Sequence, residues 1–138
     1  TVISDAVNLA SRVESLTKNY GVSLLITQET YSRLENPSDY AIRTLDTVKV
    51  KGKSELVTVY EVFDADPLEI KEGKLATLEL FAEALAIYSE GKLAKAGRLF
   101  SECWRQNPGD RAAKIYWERC QSALASRTKI KDRPHNLD

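Results

Sequence analysis

Apolar residues recur at helical spacing across the opening stretch SDAVNLASRVESLTKNYG, where Ala6, Leu9, Ala10, Val13, Leu16 and Tyr20 make one stripe. Ser4 or Asp5 is placed to cap this helix, and Gly21 suits a left-handed stop. The short apolar run Val22 to Ile26 then reads as a buried strand. Thr27 reads as the N-cap of a brief helix, QETYSRLE, which Asn36-Pro37-Ser38-Asp39 breaks. From Tyr40 to Phe63 the pattern becomes β-like. Val48 and Val50 alternate with Lys49 and Lys51, LVTVYEVF is rich in β-branched and aromatic residues, and KGKSE between them suits a hairpin.

The character changes after Phe63. Residues 64–74, DADPLEIKEGK, read as a charged connector punctuated by Pro and Gly. Three helical stripes follow: Leu78, Phe81, Ala82, Leu85 and Tyr88; then Leu93, Ala96, Phe100 and Cys103; then Ala113, Tyr116, Cys120, Ala123 and Leu124. Gly91 separates the first two and Asn107-Pro108-Gly109-Asp110 the last two. The predicted organisation is α+β over residues 1–63 (helix, strand, helix, β-hairpin), a linker at 64–74, all-α helices at 75–126, and a polar, disordered tail at 127–138.

Composition narrows the class only slightly. Of 138 residues, 43% are hydrophobic and 29% charged, which is ordinary for a globular chain. Twenty basic residues balance twenty acidic ones, which argues against nucleic acid as a partner held by bulk charge. No apolar run is long enough to span a bilayer. Cys103 and Cys120 match no metal spacing and fall on apolar stripes, so they read as reduced core residues of a cytoplasmic protein. His135, alone in the tail, receives no role. The chain lacks methionine and opens on TVISD inside a structured pattern, so it is expected to be a fragment of a longer protein.

Asn8 and Arg12 stand out on the first helix, one turn apart and framed by Ser11 and Ser15. Such a pair commonly marks a solvated helix face. A guanidinium, however, offers a planar fork for phosphate oxygens, and an amide can hold a sugar oxygen by a directional bond.

Two stretches around these residues resemble a known family. Ile3-Ser4-Asp5-Ala6-Val7-Asn8-Leu9-Ala10-Ser11-Arg12-Val13-Glu14 and Val50-Lys51-Gly52-Lys53, followed by Tyr60-Glu61-Val62, look like two motifs of the class III nucleotide cyclases, in the order the family has them. The resemblance covers residues 1 to about 63 and implies the C-terminal part of a ferredoxin-like cyclase domain. It implies conversion of ATP to cyclic AMP and pyrophosphate, with Asn8 orienting the ribose and Arg12 stabilising the α-phosphoryl transition state. Lys51 would hold the terminal phosphates and Thr1 would read the purine, here adenine. The bland alternative for Lys51 is that Lys49, Lys51 and Lys53 are charges on an exposed hairpin. Asp5 reads as a helix cap rather than a metal ligand, and Ser4 stands where the family usually has glycine.

The resemblance further implies two Mg or Mn ions whose aspartate ligands, with a purine-selecting lysine, lie earlier in the domain than Thr1. It also implies a head-to-tail homodimer with shared active sites, so this fragment alone is expected to be inactive. The alternative is a non-catalytic cyclase-like regulatory or dimerisation module. The later helices, with Phe81, Ala84, Tyr88, Gly91, Ala96, Phe100 and then Asn107-Pro108, resemble a tetratricopeptide repeat. A single hairpin with one extra helix favours packing or a dimer contact over peptide capture, and residues 75–126 are the expected route to any protein partner.

Overall fold

The computed structural model describes residues 2–49 and 55–132, with side chains described over 6–49 and 55–127. The chain divides into two compact units, residues 1–78 and 79–138. The first holds helix α1 (Val2–Tyr20), strand β1 (Leu25–Thr27), helix α2 (Gln28–Ser32), a 3-10 turn (Pro37–Asp39), strands β2 (Ile42–Lys49) and β3 (Leu56–Val62), and helix α3 (Leu68–Ala76). The second is built from α4 (Leu78–Ser89), α5 (Leu93–Gln106) and α6 (Arg111–Asp132).

The strands form an antiparallel sheet in the order β1-β3-β2. One face of β3 carries Val59 and Glu61 inward, continued by Phe63, and all three are fully buried. On β2 the inward residues are Arg43 and Leu45, then Val48. That change of phase comes from a bulge between Thr44 and Asp46, which inserts one residue so that the strand keeps its apolar side on the core. On the opposite face, Tyr31 of α2 stacks on Tyr60 with ring centroids 4.1 Å apart, and Thr27 caps α2 through a bond accepted from the Thr30 amide.

α1 behaves as two halves. Leu16 and Tyr20 are buried, and the Tyr20 hydroxyl donates to Asp46 Oδ2 at 2.7 Å. Gly21, at φ 64°, reverses the chain as expected. Towards the N-terminus the stripe opens: Leu9 and Val13 are half-buried, Ala6 and Ala10 are exposed, and Val7 is 61% exposed. The helix already begins at Val2, so Ser4 and Asp5 lie inside it rather than at its cap.

Two other expectations need correcting. Residues 64–74 are not a linker, because α3 forms there and its Lys74 is buried. The predicted tail is partly helical, since α6 continues to Asp132. The remaining tail residues, and the KGKS of the hairpin connection, lie outside the described residues.

In the second unit Phe100 and Tyr116 stack at 4.7 Å, and Phe81 meets Phe100 edge-on at 5.6 Å. The α4 stripe is rotated from the expected one: Phe81, Ala84 and Ile87 are buried while Ala82 is exposed. Gly97 lets α5 approach α6, since a Cβ there would lie 3.1 Å from Cys120 Cβ. Cys103 and Cys120 are core residues, and burial pushes the Cys120 thiol pKa up. Gly91 turns the chain at φ 80°, and Asp110 caps α6 by accepting from the Ala113 amide.

Both tryptophans, Trp104 and Trp117, lie on α5 and α6, so fluorescence reports on the second unit alone. Phe100→Ala should cost that unit about 3–5 kcal/mol. Urea unfolding followed by tryptophan emission checks this, while the far-UV signal of the sheet should hold.

Candidate active site

The residues singled out on α1 come from its open half. Asn8 is half-buried and Arg12 exposed, and their spacing places both on one side of the helix. Arg12 has no ion pair among the described residues, whereas Lys18, further along the helix, is paired with Glu14 at 3.5 Å. The helix that carries Arg12 is held from its far end, where Leu16 and Tyr20 anchor to the sheet. Thr1 and Lys51 lie outside the described residues, so the structure brings together two of the four candidate residues.

Sequence reasoning missed a second polar constellation. Glu61 on β3 is completely buried, and it accepts from Arg43 Nε at 2.7 Å and from Lys74 Nζ at 2.5 Å, one bond to each carboxylate oxygen. Lys74 also donates to Asp66 Oδ2 at 2.6 Å, and the Ser23 hydroxyl donates to Asp66 Oδ1 at 2.6 Å. Arg43 and Lys74 both approach the Phe63 ring, at 6.0 and 5.6 Å from its centroid. A signal for this existed in the sequence. Period-two alternation puts Glu61 in phase with Val59 and Phe63, and a carboxylate on an inward face needs a buried cation.

Burial alone would raise the Asp66 pKa. The bonds from Lys74 and Ser23, with the charges of Lys74 and Arg43, outweigh that and hold it below the ordinary value. Glu61 and Asp66 are thus already neutralised by cations. Among the described residues no group of His, Cys, Asp or Glu could hold a metal ion, so these residues do not fit a metal centre.

Residues 1–62 match the family described as "Adenylate and Guanylate cyclase catalytic domain". The chain is 38% identical over 121 residues to "Adenylate cyclase, terminal-differentiation specific" of Dictyostelium discoideum, covering 87% of this chain and 6% of that protein. It is 52% identical over 63 residues to an adenylate cyclase of Anabaena cylindrica, or 45% of this chain and 12% of that protein. Adenylate cyclase 1 of Rhizobium meliloti (strain 1021) is 37% identical over 62 residues, 45% of this chain and 9% of its own length. No solved structure matches. Over residues 1–62 the sequence is thus similar to the catalytic domain of class III cyclases.

The matched part of the chain spans 6% to 12% of the length of these relatives. The likeness to the Dictyostelium protein is longer than the cyclase segment, so it runs into the helical unit as well. Among the described residues no helix is long and apolar enough to cross a membrane.

The buried cluster sets a pH dependence for the first unit. Asp66 has a lower pKa folded than unfolded, where a carboxylate titrates near ~3.9. Its contribution is therefore complete above that value and is lost as pH falls through the folded pKa. Asp66→Asn should lower stability at pH 7 and flatten the loss below about pH 4. Far-UV circular dichroism in urea, recorded from neutral to acid pH on both proteins, measures the difference.

Proposed function

We propose that this chain is part of a class III adenylyl cyclase that converts ATP to cyclic AMP and pyrophosphate in intracellular signalling. The observation that carries the reading is the side-by-side placement of Asn8 and Arg12 on the open half of α1, within residues matched to the cyclase catalytic domain. Adenine as the base is supported by the names of the three relatives and by Thr1.

The reaction joins the ribose 3′-oxygen to the α-phosphorus and expels pyrophosphate. Negative charge shifts among the phosphate oxygens as the old bond breaks. Arg12 presents two parallel N–H donors to those oxygens, and a donor already in place when charge develops lowers the barrier. Asn8, one turn earlier, restrains the ribose so that its 3′-oxygen lines up with the phosphorus. Lys51, from the β2–β3 connection, holds the terminal phosphates. Class III cyclases use magnesium or manganese. In this reading two such ions are held by carboxylates of the complete domain outside this chain, and they would supply charge neutralisation at the phosphates.

The half-open α1 accords with a site completed by further polypeptide and a head-to-tail homodimer. This chain alone is then inactive. The helical unit is a tetratricopeptide-like extension that serves as a packing or protein-contact element, in keeping with the Dictyostelium likeness that crosses into it.

Cyclic AMP formation by the full-length parent with Mg²⁺ or Mn²⁺ tests the reading. Arg12→Ala should lower kcat by roughly a hundred- to a thousandfold. Wild-type activity in that variant would remove Arg12 from the mechanism. No product from the intact protein would favour a non-catalytic, cyclase-like regulatory module instead.

A further inference from the structure

The pairing of β2 with β3 changes phase at the bulge between Thr44 and Asp46. Before it, Arg43 lies opposite Glu61 on the inner face and Thr44 opposite Tyr60 on the outer one. Unbroken alternation would leave Asp46 on the outer face with Thr44. The bulge instead sets Asp46 opposite Val59, which is fully buried, and directly opposed residues share a face. A carboxylate is thereby turned inward, towards α1. Bulges re-aim side chains in this way.

Asp46 Oδ2 accepts from the Tyr20 hydroxyl at 2.7 Å, and Oδ1 accepts from the Thr47 amide at 2.7 Å, so the carboxylate is itself held in place. Tyr20 is the last residue of α1 and is fully buried. Adhesion of the helix to the sheet does not need this bond. Leu16 and the Tyr20 ring supply apolar burial, and phenylalanine would do the same with no hydroxyl to satisfy. Apolar burial is non-directional, however, and leaves a helix free to roll and slide. A hydrogen bond to a carboxylate is met only over a narrow range of distance and angle. Arg12 lies roughly two turns before Tyr20, about 12 Å along the axis. A tilt of about 5° at the anchored end moves it by about 1 Å. A displacement of that size at a reacting group costs up to about a hundredfold in rate.

We infer that Asp46 is a positioning residue of the proposed reaction: aimed by the bulge, it fixes α1 through the Tyr20 hydroxyl and so sets where Asn8 and Arg12 meet the nucleotide. This rests on the roles given to Asn8 and Arg12 in the cyclase reading.

Steady-state kinetics of the full-length parent and amide hydrogen exchange on this chain test it together. Tyr20→Phe removes the hydroxyl and keeps the ring, and Asp46→Ala removes the acceptor. Asp46→Asn preserves both bonds, because its oxygen can hold the Thr47 amide while its nitrogen donates to the Tyr20 oxygen. Tyr20→Phe and Asp46→Ala should each lower kcat about tenfold, with KM for ATP within about twofold of wild type, since Arg12 acts in the transition state. The double variant should be no slower than the slower single one, and Asp46→Asn should keep most of the activity. On this chain, amides of residues 9–16 should exchange about tenfold faster in the two disruptive variants, with Ile42–Lys49 and Leu56–Val62 little changed. Protection lost equally over α1 and the sheet would overturn the inference by reducing Asp46 to general support. So would Asp46→Asn as slow as Asp46→Ala, which would assign the effect to charge and not to the bond. Undiminished kcat in both disruptive variants would overturn this inference alone, whereas no cyclic AMP from the parent with its natural sequence would remove it together with the cyclase reading.

Discussion

Glu61 is a carboxylate with no access to water, at the middle of a three-stranded sheet. An ion in that place is tolerated only if each oxygen has a donor, and the chain supplies two from different elements: Arg43 across the sheet and Lys74 from a helix that follows it. That demand organises the first unit. It requires β2 beside β3 in one register, brings α3 back onto the sheet, and recruits Asp66 to Lys74 and Ser23 in turn to Asp66. The Phe63 ring beside both cations closes the cluster from another side.

The same unit is finished on one side and open on the other. The C-terminal half of α1 is anchored by Leu16 and Tyr20, while its N-terminal half leaves Val7 and two alanines uncovered near Asn8 and Arg12. Burial of Leu16 and Tyr20 fixes one end of the helix on the sheet, and Asn8 and Arg12 lie on the half beyond it.

The second unit is held by contrasting means. Its core is aromatic and small-residue packing: Phe81, Phe100 and Tyr116 fill the interior, and Gly97 and Cys120 permit close helix approach. Hydrophobic periodicity describes such a core well, which is why α5 and α6 fall where their stripes predict, with the α4 face rotated by a residue.

By itself the sequence determined the elements whose stability is apolar and local. These are the α1 stripe and its Gly21 stop, the alternating strands, the Gly91 and Asn107–Asp110 turns, and the two motifs that marked Asn8 and Arg12 as a pair. Each of these is written in neighbouring residues with a period of two or nearly four. Only the tertiary structure decided that residues 68–76 are a docked helix rather than a linker, that β2 changes phase at a bulge, and that the α1 stripe is covered along half its length. The physical reason is common to all three. Lys74 is buried through ion pairs to residues 8 and 13 positions away, a bulge is defined by its partner strand, and cover for a helix face comes from elsewhere in the fold. None of those partners leaves a periodic mark on the residues it governs.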